Sequence, residues 1–199
     1  MPSKEDLKRQ AAEIIDSKSE YLTALVKTIL ANPEPGFREL KTAKLVAEQF
    51  GALGLQPRSG LAVTGVRADA VGIAPGPTLA ILGELDSLIV AELPHADSDT
   101  NAAHACGHNA QIAGLMGAAM GLVQAGVAEE LAGNIVFFAV PAEEYVEIDY
   151  RLGLVKQGAI SFLTGKQELI QLGHFDDIDM GIMIHSTSPD VDDAKAVLA

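Results

Sequence analysis

One cysteine and two histidines lie together in the stretch HACGH, which carries the side chains most suited to chemistry. Cys106 is the only cysteine among the 199 residues, and it lies between His104 and His108. A thiolate and an imidazole are ligands that transition metals prefer, and the same pair can also form an activated nucleophile. The stretch alone leaves both kinds of chemistry open.

Acidic residues and a further histidine follow three apolar runs of the chain. The runs and the residues that follow them are PTLAIL before Glu84 and Asp86, NIVFFAV before Glu143 and Glu144, and MGIMI before His185. Short continuous apolar runs predict buried strands. Ligands of open α/β sheets bind at the carboxyl ends of the strands. We therefore expect these carboxylates and imidazoles to meet the HACGH turn at one sheet edge, where they would form a metal site.

The adjacent pair Glu143 and Glu144 suits a hydrolytic metal centre. Such a centre needs ligands and also a general base. Two neighbouring carboxylates after a strand can point in different directions, so that one binds metal while the other takes a proton. Nucleophilic catalysis by Cys106 with His104 or His108 is the competing hypothesis. The nearby acids argue against it, because negative charge raises the pKa of a thiol.

Helical spacing of apolar residues separates the predicted strands. Helices are predicted over about 3–31, 39–50, 108–125, 150–157 and 166–172, with strand character over 61–71 and a loop over 88–105. Strands that alternate with helices indicate an α/β fold with a largely parallel, mixed central sheet. The uncharged segment 110–128 is long enough to raise the question of a membrane span, but its Ala- and Gly-rich composition favours a buried helix.

Composition and charge limit the binding partners and the cellular compartment that we expect for this protein. A hydrophobic content of 48% is enough to form a core. A net charge of −13 disfavours binding to nucleic acid, because both are negatively charged. The N-terminal MPSKEDLKRQ has no apolar signal-peptide core, and a lone cysteine cannot form an internal disulfide. The predicted location is the cytoplasm, with no membrane partner, and a homo-oligomer is left open.

The motifs HACGHN, GELDSL and PAEE, in this order and at about this spacing, resemble the dinuclear-metal amidohydrolases and peptidases related to aminoacylase and zinc carboxypeptidases. The resemblance is to the branch of p-aminobenzoyl-glutamate hydrolase and N-acyl-amino-acid amidohydrolases, over about residues 22–185. It implies a three-layer αβα catalytic domain of the zinc-peptidase type. The implied reaction is hydrolysis of an amide bond in N-acyl or N-aroyl amino acids or small dipeptides.

The resemblance also implies roles for individual residues. The implied metal ligands are Cys106, His108, Glu144 and His185. They would hold two divalent ions, Zn²⁺ or Mn²⁺, and a water molecule. Glu143 would act as general base toward that water, and Asp86 would orient a ligand imidazole, with Glu84 as a helper.

Members of the resembled family are much longer than this chain. After the strand that ends at His185 they insert a smaller dimerisation and lid domain, and then return with a last ligand histidine. We therefore expect residues 1–199 to be the N-terminal portion of the catalytic domain, with the inserted domain and the C-terminal part absent. The alternative is a catalytically inactive fragment that binds metal weakly or associates with another chain through an open sheet edge.

Overall fold

A five-stranded mixed sheet forms the centre of the computed structural model, which describes residues 2–186. The strands are β1 (Arg58–Leu61), β2 (Gly65–Val71), β3 (Ala74–Glu84), β4 (Leu88–Ile89), β5 (Ala102–Ala103), β6 (Ala132–Val140) and β7 (Met180–Met183). The sheet order is β1-β2-β6-β3-β7, with antiparallel pairing from β1 to β6 and parallel pairing from β6 to β7. The small strands β4 and β5 pair within the segment that was predicted as a loop.

The parallel part of the sheet aligns the ends that carry polar residues. Glu84 at the end of β3 lies opposite Val140 at the end of β6. Leu82 of β3 lies opposite Met183, the last residue of β7. The segments that follow these strands therefore leave the sheet at the same edge, as the sequence predicted.

Six helices complete the described residues. They are α1 (Lys4–Ser17), α2 (Ser19–Leu30), α3 (Leu40–Ala52), α4 (His108–Gln124), α5 (Ile148–Lys156) and α6 (Gly165–Gln171). The single N-terminal helix predicted over 3–31 is wrong, because the chain breaks at Lys18 into α1 and α2. The Ser17 hydroxyl donates to the Ile14 carbonyl at 2.7 Å, a local hydrogen bond of the kind that competes with helix continuation.

Apolar residues pack on both faces of the sheet. On one face α2, α3 and α4 cover a core that includes Phe50, Met116 and Phe137. On the other face Phe138 packs with Leu169 of α6. Helices on both faces give the predicted α/β fold with three layers. Over residues 2–186 no helix combines the length and apolar character that a bilayer crossing requires.

The long buried helix α4 lies directly against α1 and α2. A side chain at Gly121 would place its Cβ 2.9 Å from Ile15, and one at Gly117 would lie 3.2 Å from Leu22. The small residues of α4 therefore allow close helix packing. The start of α4, where His108 lies, is joined to the end of β3 by Gln111, whose side-chain oxygen accepts the Glu84 N–H at 2.7 Å.

Candidate metal centre

The turn that carries Cys106 lies at the start of α4 and contacts the end of β7. Gly107 adopts a φ of 94° immediately before α4, which is the left-handed region that glycine enters at little cost. The Ser186 hydroxyl donates to the Cys106 carbonyl at 2.9 Å. Because this contact joins two distant segments, Cys106 and His185 become neighbours, with 3.4 Å between Sγ and Nε2.

His108 is buried, with its two ring nitrogens in different surroundings. Nδ1 lies 2.9 Å from the Asp86 carbonyl oxygen and 3.4 Å from Asp86 Oδ1. These acceptors favour the tautomer with a proton on Nδ1, which leaves Nε2 as the atom that faces the other candidate ligands. The other carboxylate oxygen of Asp86 accepts the backbone N–H of Glu144 at 2.9 Å. Asp86 therefore contacts both His108 and the backbone of Glu144.

The predicted site residues converge on a small volume. Cys106, His108 and His185 each offer a ligand atom, and these atoms lie within 4.8 Å of one another. His108 Nε2 also lies 3.8 Å from Glu143 Oε2 and 3.9 Å from Glu144 Oε1. The structure thus brings together all four predicted ligands and the predicted general base.

Several buried polar atoms in this volume have no hydrogen-bond partner within residues 2–186. These atoms include Glu84 Oε2, His108 Nε2 and Glu144 Oε1. Glu84 Oε2 and His108 Nε2 lie 3.1 Å apart, but their geometry is not that of a hydrogen bond. Buried polar atoms are usually paired, so a cluster without partners needs an explanation. Sulfur, imidazole nitrogen and carboxylate oxygen are together the donors of a zinc or related transition-metal site. The residues therefore fit a divalent cation.

The carboxylates around His108 stabilise a positive charge at Nε2. Burial lowers the pKa of His108, but the close carboxylates of Asp86 and Glu84 outweigh burial and raise the pKa to about 10. Glu84 Oε2 lies 3.1 Å from His108 Nε2. A proton or a metal ion at Nε2 satisfies the same carboxylates, so the two compete for one position.

Glu84 has a larger part in the site than the sequence indicated. Its side chain is only 1% exposed, and its Oε1 forms an ion pair with Lys166 Nζ. Burial raises the pKa of Glu84, but His108 and Lys166 outweigh burial and lower the pKa to about 2. Sequence reasoning missed Lys166, because a lysine at the start of a helix carries no signal of a partner 82 residues away.

Glu143, the predicted general base, is partly exposed at the edge of this cluster. Its side chain is 36% exposed, so water can reach it. Burial raises the pKa of Glu143, the Glu84 charge raises it further, and Lys166 opposes both. A carboxylate with a raised pKa holds a proton more readily, which suits proton transfer near neutral pH.

The surroundings of Cys106 disfavour the nucleophile hypothesis. Burial and the nearby carboxylates of Glu144 and Glu143 raise the pKa of the Cys106 thiol to about 12. The thiol alone is therefore protonated at neutral pH and is a weak nucleophile. His104 is buried, and neither of its ring nitrogens has a hydrogen-bond partner among residues 2–186, so it does not pair with the thiol there. Burial lowers the pKa of His104 to about 4, and the charge of His108 adds to this effect.

Comparison with known proteins gives a consistent result. The model of peptidase family M20/M25/M40 matches residues 80–198. N-acyl-L-amino acid amidohydrolase from Geobacillus stearothermophilus is 30% identical over 190 residues, which are 94% of this chain and 45% of that protein. Thermostable carboxypeptidase 2 from Saccharolobus solfataricus is 31% identical over 92% of this chain and 42% of that protein.

A solved structure from the same family also has a similar fold. A Bacillus subtilis protein described as a dinuclear metal binding peptidase from the M20 family matches with a TM-score of 0.66 and 25% identity. The match covers 84% of this chain and 43% of that protein. This chain therefore spans less than half the length of the proteins to which it is similar.

Proposed function

The chain belongs to peptidase family M20/M25/M40, and we propose that its sheet edge binds divalent metal ions for the hydrolysis of an amide bond. The observation that carries this proposal is a cluster of buried atoms that make no hydrogen bond among the described residues, Glu84 Oε2, His108 Nε2 and Glu144 Oε1. Cys106 and His185 add a thiol and an imidazole to the same cluster. A cation is the ligand that satisfies all of these donors at once.

The proposed metal ligands are Cys106, His108, Glu144 and His185, for two ions of Zn²⁺ or Mn²⁺. The thiol favours Zn²⁺, whereas the surrounding carboxylates suit Mn²⁺. When bound, such ions polarise a carbonyl group and lower the pKa of water. The Asp86 carbonyl oxygen accepts from His108 Nδ1, and the Asp86 carboxylate accepts the backbone N–H of Glu144. Asp86 is therefore proposed to keep both ligands in place.

Glu143 is the proposed general base. It takes a proton from water as the water oxygen forms a bond to the amide carbonyl carbon. It then gives that proton to the leaving nitrogen as the carbon–nitrogen bond breaks, which yields a carboxylic acid and an amine; the acid then ionises to the carboxylate as the amine takes up its proton. The nearby charge of Glu84 raises the pKa of Glu143, and the charge of Lys166 lowers it.

The proposed substrates are N-acyl or N-aroyl amino acids or small dipeptides. The name of the Geobacillus relative, an N-acyl-L-amino acid amidohydrolase, supports this class. We further propose that residues 1–199 form part of a catalytic domain to which other residues contribute, because relatives are more than twice as long as the region that matches.

The second candidate is a catalytically inactive fragment that binds metal weakly or associates with another chain. The exposed edge strand β7 favours it. Met180, Ile182 and Met183 are 40–50% exposed, and within residues 2–186 no strand pairs with the free edge of β7. Unpaired apolar edges of this kind are sites of strand addition.

The test is an amide-hydrolysis assay on the purified chain with a panel of N-acyl amino acids and p-aminobenzoyl-glutamate. Release of the free amine should require added Zn²⁺ or Mn²⁺, and Glu143→Gln should lower the rate by about 10²-fold or more. The matched control Glu130→Gln changes an exposed carboxylate outside the site and should leave the rate unchanged. A chain that binds metal but releases no amine would support the inactive fragment instead.

A further inference from the structure

Glu39 is a buried carboxyl group that lies outside the cluster of candidate ligands but contacts the segment that carries two of the site carboxylates. Its side chain is fully buried. Its Oε1 accepts the backbone N–H of Ala142 at 2.7 Å, and its Oε2 accepts the Thr64 hydroxyl at 2.6 Å. Both oxygens are therefore used, and one of them holds the residue that precedes Glu143.

Ala142 is the point at which the chain turns away from β6 toward the site. Its φ is 49°, in the left-handed region that residues other than glycine rarely adopt. Its carbonyl accepts the N–H of Gly165, the first residue of α6, at 3.0 Å. Because Glu39 holds one side of Ala142 and Gly165 holds the other, a strained backbone conformation is fixed at both ends.

The turn over residues 34–39 contacts both loops of the candidate centre. The Glu34 carbonyl accepts the N–H of Ser87, the neighbour of Asp86, at 3.0 Å. A side chain at Gly36 would place its Cβ 2.8 Å from Ala142 Cα, so only glycine allows this approach. The turn therefore lies against the Asp86 loop and the Glu143 loop at the same time.

We propose that Glu39 is a positioning residue, which holds the Ala142 peptide and thereby sets the directions in which Glu143 and Glu144 point. The roles of those two carboxylates rest on the proposed function, whereas the contact of Glu39 with Ala142 does not. Without Glu39 the Ala142 N–H is buried and unpaired, which costs free energy and favours another backbone conformation. A change of φ at Ala142 rotates every bond that follows it.

Conservative variants test whether Glu39 holds Ala142 as a neutral acid. Burial first, and then the Asp86 charge, raise the pKa of Glu39 to about 8. Glutamine has the shape of the neutral acid, so its amide oxygen can accept from Ala142 while its NH₂ group donates to the rotatable Thr64 hydroxyl. Aspartate is one methylene shorter and cannot reach both partners. We therefore expect Glu39→Gln to hold the Ala142 peptide as wild type does. Glu39→Asp and Glu39→Ala should hold it less well.

The experiment is residue-resolved amide hydrogen exchange by NMR on the metal-free chain. The Ala142 amide should exchange about tenfold faster or more in Glu39→Ala and Glu39→Asp, and within about threefold of wild type in Glu39→Gln. Glu34→Ala is the matched control, because the Glu34 carboxylate accepts N–H groups of Lys41 and Thr42 in α3 and does not contact Ala142. It should speed exchange in α3 and leave Ala142 unchanged.

The inference is overturned if Ala142 exchange is unchanged in the Ala and Asp variants, or if Glu39→Gln behaves like Glu39→Ala. Equal acceleration across α1 and α2 would mean general destabilisation and would also overturn it. If Glu39→Ala does not fold, the Asp and Gln pair decides.

Calorimetric titration with Zn²⁺ then separates this inference from the proposed function. Glu39→Asp should bind Zn²⁺ about tenfold more weakly than Glu39→Gln, and equal affinities would contradict the link between Glu39 and the ligand Glu144. A wild-type chain that binds no Zn²⁺ would overturn the proposed function and, with it, the part of the inference that concerns ligand direction. The exchange result would still decide whether Glu39 holds Ala142.

Discussion

Asp86 and Glu144 are joined across the end of the sheet, because the Asp86 carboxylate accepts the Glu144 backbone N–H at 2.9 Å. The other carboxylate oxygen of Asp86 faces His108 Nδ1 at 3.4 Å. One buried side chain thus connects the segment after β3, the segment after β6 and the start of α4. The relative positions of two candidate ligands depend on it.

Replacement of Asp86 should weaken metal binding more than it weakens the fold. Asp86→Asn keeps the shape but removes the charge. It also places an NH₂ group against either the Glu144 N–H or the His108 Nδ1–H, so one of these two contacts is lost. We expect a loss of about tenfold to a hundredfold in Zn²⁺ affinity by calorimetry. Asp149→Asn, on the exposed surface of α5, is the control and should bind as wild type does. Equal affinities for both variants would exclude an orienting role.

Metal binding should release protons. Without metal the pKa of His108 is raised to about 10 and that of Cys106 to about 12, so both are protonated at pH 7. Both groups must lose a proton to bind a cation. We expect affinity to fall as the pH is lowered, with about two protons released per chain at pH 7. Titrations in buffers of different ionisation enthalpy measure this number, and a value near zero would contradict the assignment of these ligands.

Glu39 should make stability depend on pH. Its pKa rises from 4.5 to about 8 on folding, chiefly through burial and next through Asp86, with Arg151 as a further charged neighbour. Between these values the folded chain binds more protons than the unfolded chain, so the free energy of unfolding falls as the pH rises. The slope is at most about 1.4 kcal/mol per pH unit.

Urea denaturation from pH 5 to pH 8 measures that slope. Glu39→Gln cannot titrate at this position, so its profile should be flatter than that of wild type. Parallel profiles for the two proteins would show that Glu39 does not titrate in this range.

Loss of Lys166 should destabilise the metal-free chain. Lys166→Met removes the partner of Glu84, which is buried and ionised. Because Lys166 is 31% exposed and water screens part of the pair, we expect a loss of about 1–3 kcal/mol in unfolding free energy. Lys44→Met, which breaks an exposed pair with Glu48 on α3, should cost much less, because water screens that pair. Equal losses in the two variants would contradict a buried role for the Glu84 pair.

The sequence predicted the parts of the site that follow from regular structure. Glu84, Glu144 and His185 meet because parallel strands end at one edge, and apolar runs reveal such strands. The break at Lys18 was missed because α1 and α2 share one apolar period. The contact between Glu39 and Ala142 joins residues 103 positions apart, and no local pattern encodes such a pairing. Lys166 was missed for the same reason.

The proposed metal centre is tested by the metal content of the purified chain, measured by elemental analysis after incubation with Zn²⁺ or Mn²⁺ and removal of excess ion. The double variant His108→Ala, Glu144→Ala is the control, because it removes two of the four proposed ligands. We expect about two ions per chain in the wild type and loss of metal from the double variant. A wild-type chain that retains no metal, or a double variant that retains as much as wild type, would contradict the proposed metal centre.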